Sequence, residues 1–115
     1  EPSLQQGLSS LVWALAKMKV YHAELLRVVA EEATTNDVGL SPDVSISIAW
    51  AFATLAERDD ALFSTLAKET ASPVGQCKPQ ELANLVWAFA TLDLPHEDLF
   101  RRTAVEALAK LREFK

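Results

Sequence analysis

Apolar residues recur three or four positions apart along most of the chain, the spacing that places them on one face of an α-helix. This pattern predicts six helices, at about 4–18, 23–34, 42–57, 60–71, 79–92 and 97–114. Loops with glycine, proline or asparagine, at 35–40 and 72–77, separate the second helix from the third and the fourth from the fifth.

The hydrophobic pattern is itself repeated. Trp13, Trp50 and Trp87 are 37 residues apart, and the same step superimposes Pro42 on Pro79. Repetition at this length is typical of solenoids, in which each unit buries its apolar face on the next. We therefore expect residues 1–115 to be one all-α segment, a right-handed α-solenoid (superhelix) of three antiparallel helix pairs, belonging to a longer protein. The predicted repeats are 4–40, 41–77 and 78–115, hereafter units 1, 2 and 3.

The first helix of each unit, called helix A, is apolar around most of its circumference and is predicted to be almost wholly buried. The second helix, helix B, is amphipathic and is predicted to form the outer layer. Helix A keeps one narrow polar stripe beside its tryptophan, consisting of Gln6, Ser10, Lys17, Asp43, Ser47, Thr54, Gln80, Asn84 and Thr91. Repeated at a fixed step, this stripe predicts a row of polar side chains along the concave wall. It is the candidate binding surface, although a polar stripe facing solvent needs no function.

The three tryptophans have two interpretations. Lying beside the polar stripe, Trp13, Trp50 and Trp87 are able in principle to stack nucleic-acid bases, for ~1–3 kcal/mol each. At helical spacing within an apolar arc, they are better interpreted as the structural core of the repeat, packed between units.

The net negative charge of the chain argues against a long-range electrostatic attraction of nucleic acid. Lys and Arg number 11 against 16 Asp and Glu, a net charge of −5. Only unit 3, with balanced charges, reaches neutrality.

Residues that carry catalytic chemistry are sparse. Cys77 is the single cysteine and has no histidine placed beside it by any motif. His22 and His96 are 74 residues apart with Asp59 midway, so they occupy equivalent positions two units apart and are predicted to begin B helices rather than share a metal. No stretch reaches the ~18 apolar residues of a membrane span. We expect no enzyme, no catalytic or metal site, no cofactor, no small-molecule substrate and no transmembrane segment.

The start of unit 3 carries a family resemblance. Its sequence Lys78-Pro79-Gln80-Glu81-Leu82-Ala83-Asn84-Leu85-Val86-Trp87-Ala88-Phe89-Ala90-Thr91-Leu92 resembles the signature of octotricopeptide repeats, paired-helix units of organelle proteins related to FAST-kinase-like proteins with RAP domains. Over the three units the resemblance spans nearly the whole chain.

The resemblance implies selective binding of single-stranded RNA in a chloroplast or mitochondrion, supporting transcript stability, processing or translation. Helical repeat proteins of this kind read one base per unit with two or three side chains. The matching candidates in this sequence are Gln6, Ser10, Asp43, Ser47, Gln80 and Asn84. The alternative is a non-catalytic scaffold that uses the solenoid for contacts with protein subunits of a large organellar complex, such as a ribosome, a respiratory or a photosynthetic assembly. Net acidity and the small number of repeats favour this second function.

Overall fold

The computed structural model describes residues 2–35, 39–71 and 77–112. Within these ranges the chain forms six α-helices and no β-strand. The helices are α1 (Pro2–Met18), α2 (Ala23–Thr35), α3 (Pro42–Thr54), α4 (Asp60–Ala71), α5 (Pro79–Thr91) and α6 (Glu97–Arg112). The prediction of six helices is confirmed, and five of the six begin at the predicted residue. The predicted loops lie largely outside the described residues.

Every A helix ends in the same backbone turn. Lys19, Ala56 and Asp93 are one repeat apart and have left-handed φ angles of 57°, 58° and 56°. In each turn this residue donates its N–H to the carbonyl three residues back, and the next residue donates to the carbonyl five back, at 2.8–3.1 Å. These two bonds define a Schellman motif, which glycine usually completes. Three copies on three different residues show that the fold imposes the turn.

Every B helix begins with the same type of cap. The side chains of His22, Asp59 and His96 each accept a hydrogen bond from the backbone N–H three residues later, at 3.1, 3.0 and 3.3 Å. Such bonds satisfy a backbone donor that the first helical turn leaves without a partner. The prediction that these residues begin helices is confirmed.

The helices pack in two rows. In one, α3 lies between α1 and α5; in the other, α4 contacts both α2 and α6. Each A helix also contacts its own B helix, and the whole measures 44 × 27 × 24 Å. Aromatic rings join successive units, since Phe63 of unit 2 meets Phe89 of unit 3 edge to face with centroids 5.0 Å apart.

Burial depends on the position of a unit in the row. Helix α3 has neighbours on both sides, and its residues from Val44 to Ala53 are buried except Ser47 and Trp50, which are half-buried. The prediction that every A helix is almost wholly buried is wrong for α1 and α5. Among the described helices, each of these two has a neighbouring A helix on one side only, so its other side is exposed.

On α1 and α2, the uncovered side of unit 1 is apolar. Leu11 is 53% exposed, whereas its equivalents Ile48 and Leu85 are 2% and 0% exposed. We call this surface the leading face; it consists of Leu11, Leu15, Met18 and Leu25, all more exposed than their equivalents in unit 3.

Unit 3 is uncovered on the opposite side, along α5 and α6. There a groove of about 380 Å³ has an almost entirely apolar lining. We call its main surface the trailing face; it consists of Ala83, Val86, Phe100, Ala104 and Ala107. All five are exposed or half-buried, whereas their equivalents in units 1 and 2 are buried.

Candidate functional site

A second groove crosses the A helices on the side of the polar stripe. It measures about 290 Å³ and lies over α1, α3 and α5, so all three units contribute to it. Its lining consists of Trp13, Lys17, Asp43, Ile46, Ser47, Trp50, Glu81 and Asn84. Four of the nine residues of the predicted polar stripe line this groove, and they come from all three units.

Two indoles and a lysine form the α1 end of this groove. The ring centroids of Trp13 and Trp50 are 6.3 Å apart with 34° between the planes. The Lys17 Nζ lies 5.5 Å from the Trp13 ring centroid, a cation–π contact of about 0.5–1 kcal/mol at an exposed position.

The assignment of all three tryptophans to the repeat core requires correction. Trp13 and Trp87 are each 46% exposed, and only Trp50 packs partly buried against the core. The tryptophan position borders the polar stripe, so even in the middle unit the indole is only half-buried. Packing between units holds for the pair Trp13 and Trp50, but this contact leaves much of Trp13 uncovered.

Three of the six candidate RNA-contacting residues line the groove. Asp43 and Ser47 extend from α3, and Asn84 extends from α5. Gln80, one turn before Asn84, donates its Nε2 hydrogen to the Asn84 Oδ1 at 3.2 Å. Because Oδ1 is engaged in this way, the Asn84 amide N–H groups remain the donors available to a ligand.

The other predicted polar positions lie elsewhere. Gln6 and Ser10 are exposed on α1 but do not line the groove. Thr54 differs from the expectation of a wetted stripe, because its hydroxyl oxygen is buried and has no hydrogen-bond partner within the described part of the chain. In the last turn of α3 the polar stripe is therefore not accessible at the Thr54 hydroxyl.

Sequence reasoning missed Glu81 as a groove residue. Its Oε1 accepts the backbone N–H of Lys78 at 2.8 Å, which stabilises the start of α5. The usual signature of this arrangement has serine or threonine at the cap, and the chain has lysine there. The spacing of Lys78 and Glu81 was therefore not sufficient to predict this arrangement from the sequence.

The groove holds mixed charge. Lys17 supplies one positive group, whereas Asp43 and Glu81 supply two negative ones. Such a lining offers hydrogen bonds and indole faces to a planar polar ligand, and the described lining residues provide one cation for a phosphate.

Among the described residues, no group of three His, Cys, Asp or Glu side chains is placed to hold a metal ion. None of the six helices combines the length and apolarity that spanning a membrane demands. Cys77 is buried, and this burial raises the pKa of its thiol.

Comparisons with known proteins found no match to this chain among family models, curated proteins or solved structures.

Proposed function

We propose that the chain is a segment of a right-handed α-solenoid of antiparallel helix pairs whose groove over α1, α3 and α5 binds single-stranded RNA. The observation that carries this proposal is the juxtaposition of two partly accessible indoles and a lysine with hydrogen-bonding side chains from the two following units, all within one groove. The resemblance of unit 3 to octotricopeptide repeats supports it.

A base would stack on the accessible face of Trp13, because indole faces bind any base by stacking. Lys17 now lies over that ring and is long enough to turn outward and contact the phosphate that follows the base. Ser47, Asp43 and Asn84, one and two units further along, would then hydrogen-bond the edges of neighbouring bases. Stacking supplies affinity in this mechanism, and the polar side chains supply selectivity.

The expected affinity is low. Each stacked base contributes ~1–3 kcal/mol, and association itself costs several kcal/mol. Lys17 is the one cation among the described residues that line the groove. The slope of log K against log salt should therefore be shallow, near the ~0.7 per phosphate of a single contact.

The test is a titration of fluorescently labelled single-stranded RNA into the chain at about 50 mM and about 200 mM salt. Trp13 and Trp87 form a matched pair, because they are equally exposed but only Trp13 lines the groove. We expect Trp13→Leu to weaken binding by ~1–3 kcal/mol, the contribution of one stacked base, and Trp87→Leu to leave it nearly unchanged. Asn84→Ala should alter the preference among RNA sequences more than the affinity for a random pool.

Three results would contradict the proposal. One is absence of binding at tens of micromolar protein in low salt. Another is equal loss in the two tryptophan variants. The third is binding with a steep salt slope that Asn84→Ala does not change, which indicates nonspecific charge attraction.

A scaffold role is the second candidate, and two observations favour it. Both ends of the helix rows expose apolar surface, the leading and trailing faces, while the net charge of −5 opposes nucleic acid. In this role the chain joins protein subunits of a large assembly and needs no RNA. A location in a chloroplast or mitochondrion is part of both proposals and derives from the family resemblance alone.

A further inference from the structure

Given the proposed binding of single-stranded RNA, on which this inference rests, we propose that the groove over α1, α3 and α5 selects guanine. The Asp43 carboxylate pairs with the Watson–Crick edge of the base, and the Asn84 amide donates to the same edge. Both side chains lie inside the groove, on the neighbouring helices α3 and α5.

Two carboxylates face the same part of the groove. Asp43 extends from the first turn of α3 and Glu81 from the first turn of α5. The pKa of the buried Cys77 thiol is raised by burial and, to a smaller extent, by both carboxylates, so the two act on one neighbour. The Glu81 Oε1 already accepts the backbone N–H of Lys78. Asp43 is exposed and accepts no hydrogen bond within the described part of the chain, so both of its oxygens are available to a ligand.

The donor that complements Asp43 is the amide of Asn84. Its Oδ1 accepts the Gln80 side chain at 3.2 Å, which leaves the Nδ2 hydrogens for a ligand. Asn84 is the equivalent of Ser47, so it lies four residues further along its helix than Asp43 does. Four residues rise about 6 Å, and packed helices are about 8–10 Å apart, so the two backbone positions are roughly 10 Å apart. This gap suits one base that meets the carboxylate and the amide with a single edge.

Guanine is the base whose edge complements this pair of groups. It presents two adjacent donors, N1–H and the 2-amino group, next to the O6 acceptor. A carboxylate accepts both donors at once, and an amide N–H donates to O6. Adenine and cytosine combine one amino donor with a ring nitrogen acceptor, and uracil places its N3–H between two carbonyl oxygens. Each of these three bases would therefore set an acceptor against a carboxylate oxygen, which leaves polar groups unsatisfied and costs affinity.

Stacking and selection use different residues of the groove. Trp13 lies on α1 and would stack the adjacent base, and an indole face stacks on any base. Asp43 and Asn84 lie on α3 and α5 and would meet the edge of the next base. Loss of Trp13 should therefore weaken binding of all sequences alike, whereas loss of the Asp43 carboxylate should change the preference among them.

Fluorescence anisotropy with short labelled uridine oligonucleotides tests this selection. One carries a single central guanosine, others carry adenosine, cytidine or inosine there, and the reference is all uridine. We expect the guanosine oligonucleotide to bind roughly 10-fold more tightly than those with adenosine, cytidine or uridine, the discrimination of one bidentate pair. Inosine lacks the 2-amino group, so its oligonucleotide should have an intermediate affinity.

Asp43→Asn should remove most of the guanosine preference, because an amide offers one acceptor oxygen where the carboxylate offers two. The matched control is Asp93→Asn, which removes the same charge at an exposed position outside the groove. This control should keep the preference, and circular dichroism should show native helix content in both variants. A guanosine preference that survives in Asp43→Asn, or that disappears equally in Asp93→Asn, would overturn the role of the Asp43 carboxylate.

The two tryptophan variants separate failure of the selection from failure of the groove. Equal binding of all the oligonucleotides, weakened by Trp13→Leu and not by Trp87→Leu, would overturn the selection of guanine and leave RNA binding in the groove intact. Absence of binding, or equal loss in both tryptophan variants, would refute the groove and with it the selection.

Unlabelled guanosine monophosphate distinguishes RNA from a free nucleotide as the source of the base. It lacks the neighbouring base that stacks on Trp13, so it should compete roughly 10-fold more weakly than the unlabelled guanosine oligonucleotide. Equal competition by the two would overturn RNA as the ligand of this site.

Discussion

Trp13 and Trp50 occupy the same position in successive units, and their rings meet with centroids 6.3 Å apart. Trp50 rests against the buried core, whereas Trp13 is 46% exposed. The contact therefore joins a ring packed on the core of the middle unit to a ring that is nearly half exposed.

The first prediction concerns the stability of these two positions. Trp50→Ala should lower the free energy of unfolding by about 3 kcal/mol, the low end for tryptophan truncation, because the ring is half-buried. Trp13→Ala should cost only about 1 kcal/mol, since much of the ring is already in water. Urea denaturation followed by circular dichroism measures both. The double variant should cost less than the two single losses together, by about 0.5–1.5 kcal/mol of ring–ring coupling. Equal costs at the two sites, or strict additivity, would contradict the packing described.

A second prediction concerns the left-handed turn after α3. Ala56 has φ of 58°, a conformation that costs an L-residue about 1–2 kcal/mol and glycine almost nothing. Ala56→Gly should raise the free energy of unfolding by up to about 1 kcal/mol, once the extra entropy of unfolded glycine is subtracted. The control is Ala104→Gly, at an exposed position inside α6, which should destabilise by about 1 kcal/mol. A decrease in the free energy of unfolding in both variants would contradict the left-handed conformation of Ala56.

A third prediction concerns buried hydroxyl groups. Ser45 is fully buried on α3, and its Oγ has no hydrogen-bond partner within the described residues. Ser45→Ala should be neutral or stabilise by about 1 kcal/mol, because it removes a desolvated polar atom. Thr70 is equally buried, but its Oγ1 donates to the Leu66 carbonyl at 2.8 Å. Thr70→Val keeps the shape and loses this bond, so it should destabilise by about 1 kcal/mol. In thermal melts, the midpoint of Thr70→Val should therefore fall, whereas that of Ser45→Ala should rise or stay unchanged. A clear loss of stability in Ser45→Ala would contradict the absence of a hydrogen-bond partner for the Ser45 hydroxyl.

A fourth prediction concerns Cys77. Burial raises the pKa of this thiol above the ordinary value of 9.0, with the Glu81 carboxylate adding to the shift. At pH 8 the native chain should react with iodoacetamide more slowly than the urea-unfolded chain does, since the thiolate is both scarcer and less accessible. Mass spectrometry of timed samples measures the two rates.

The same shift predicts how stability depends on pH. Because the pKa of the thiol is higher in the native chain than in the unfolded chain, the unfolded chain loses the thiol proton at lower pH. The contribution of the protonated thiol to the free energy of unfolding is therefore complete below pH 9.0 and declines as pH rises through the native pKa. Cys77→Ala should reduce the fall in stability above pH 9.0. Rapid alkylation of the native chain, or an unchanged pH profile in the variant, would contradict burial of the thiol.

The residues themselves determined the helices. Ser41-Pro42 marks the start of α3, and the 37-residue step places His22, Asp59 and His96 at the starts of three B helices. These features are local, because a cap or an apolar face depends on residues within one or two turns. Periodicity therefore sufficed to predict six helices and the polar stripe on the A helices.

Tertiary structure decided which copies of each repeated position are buried. Leu11 and Leu85 are both leucine at the same position, yet one is 53% and the other 0% exposed, because only Leu85 has a preceding unit against it. The turns at Lys19, Ala56 and Asp93 share no residue type, so no sequence signal marks their common left-handed backbone. Likewise, Lys17, Ser47 and Asn84 meet in one groove only because α1, α3 and α5 lie side by side. Local sequence sets what each helix is, but exposure and grouping depend on residues tens of positions away, which contact one another only after the units pack.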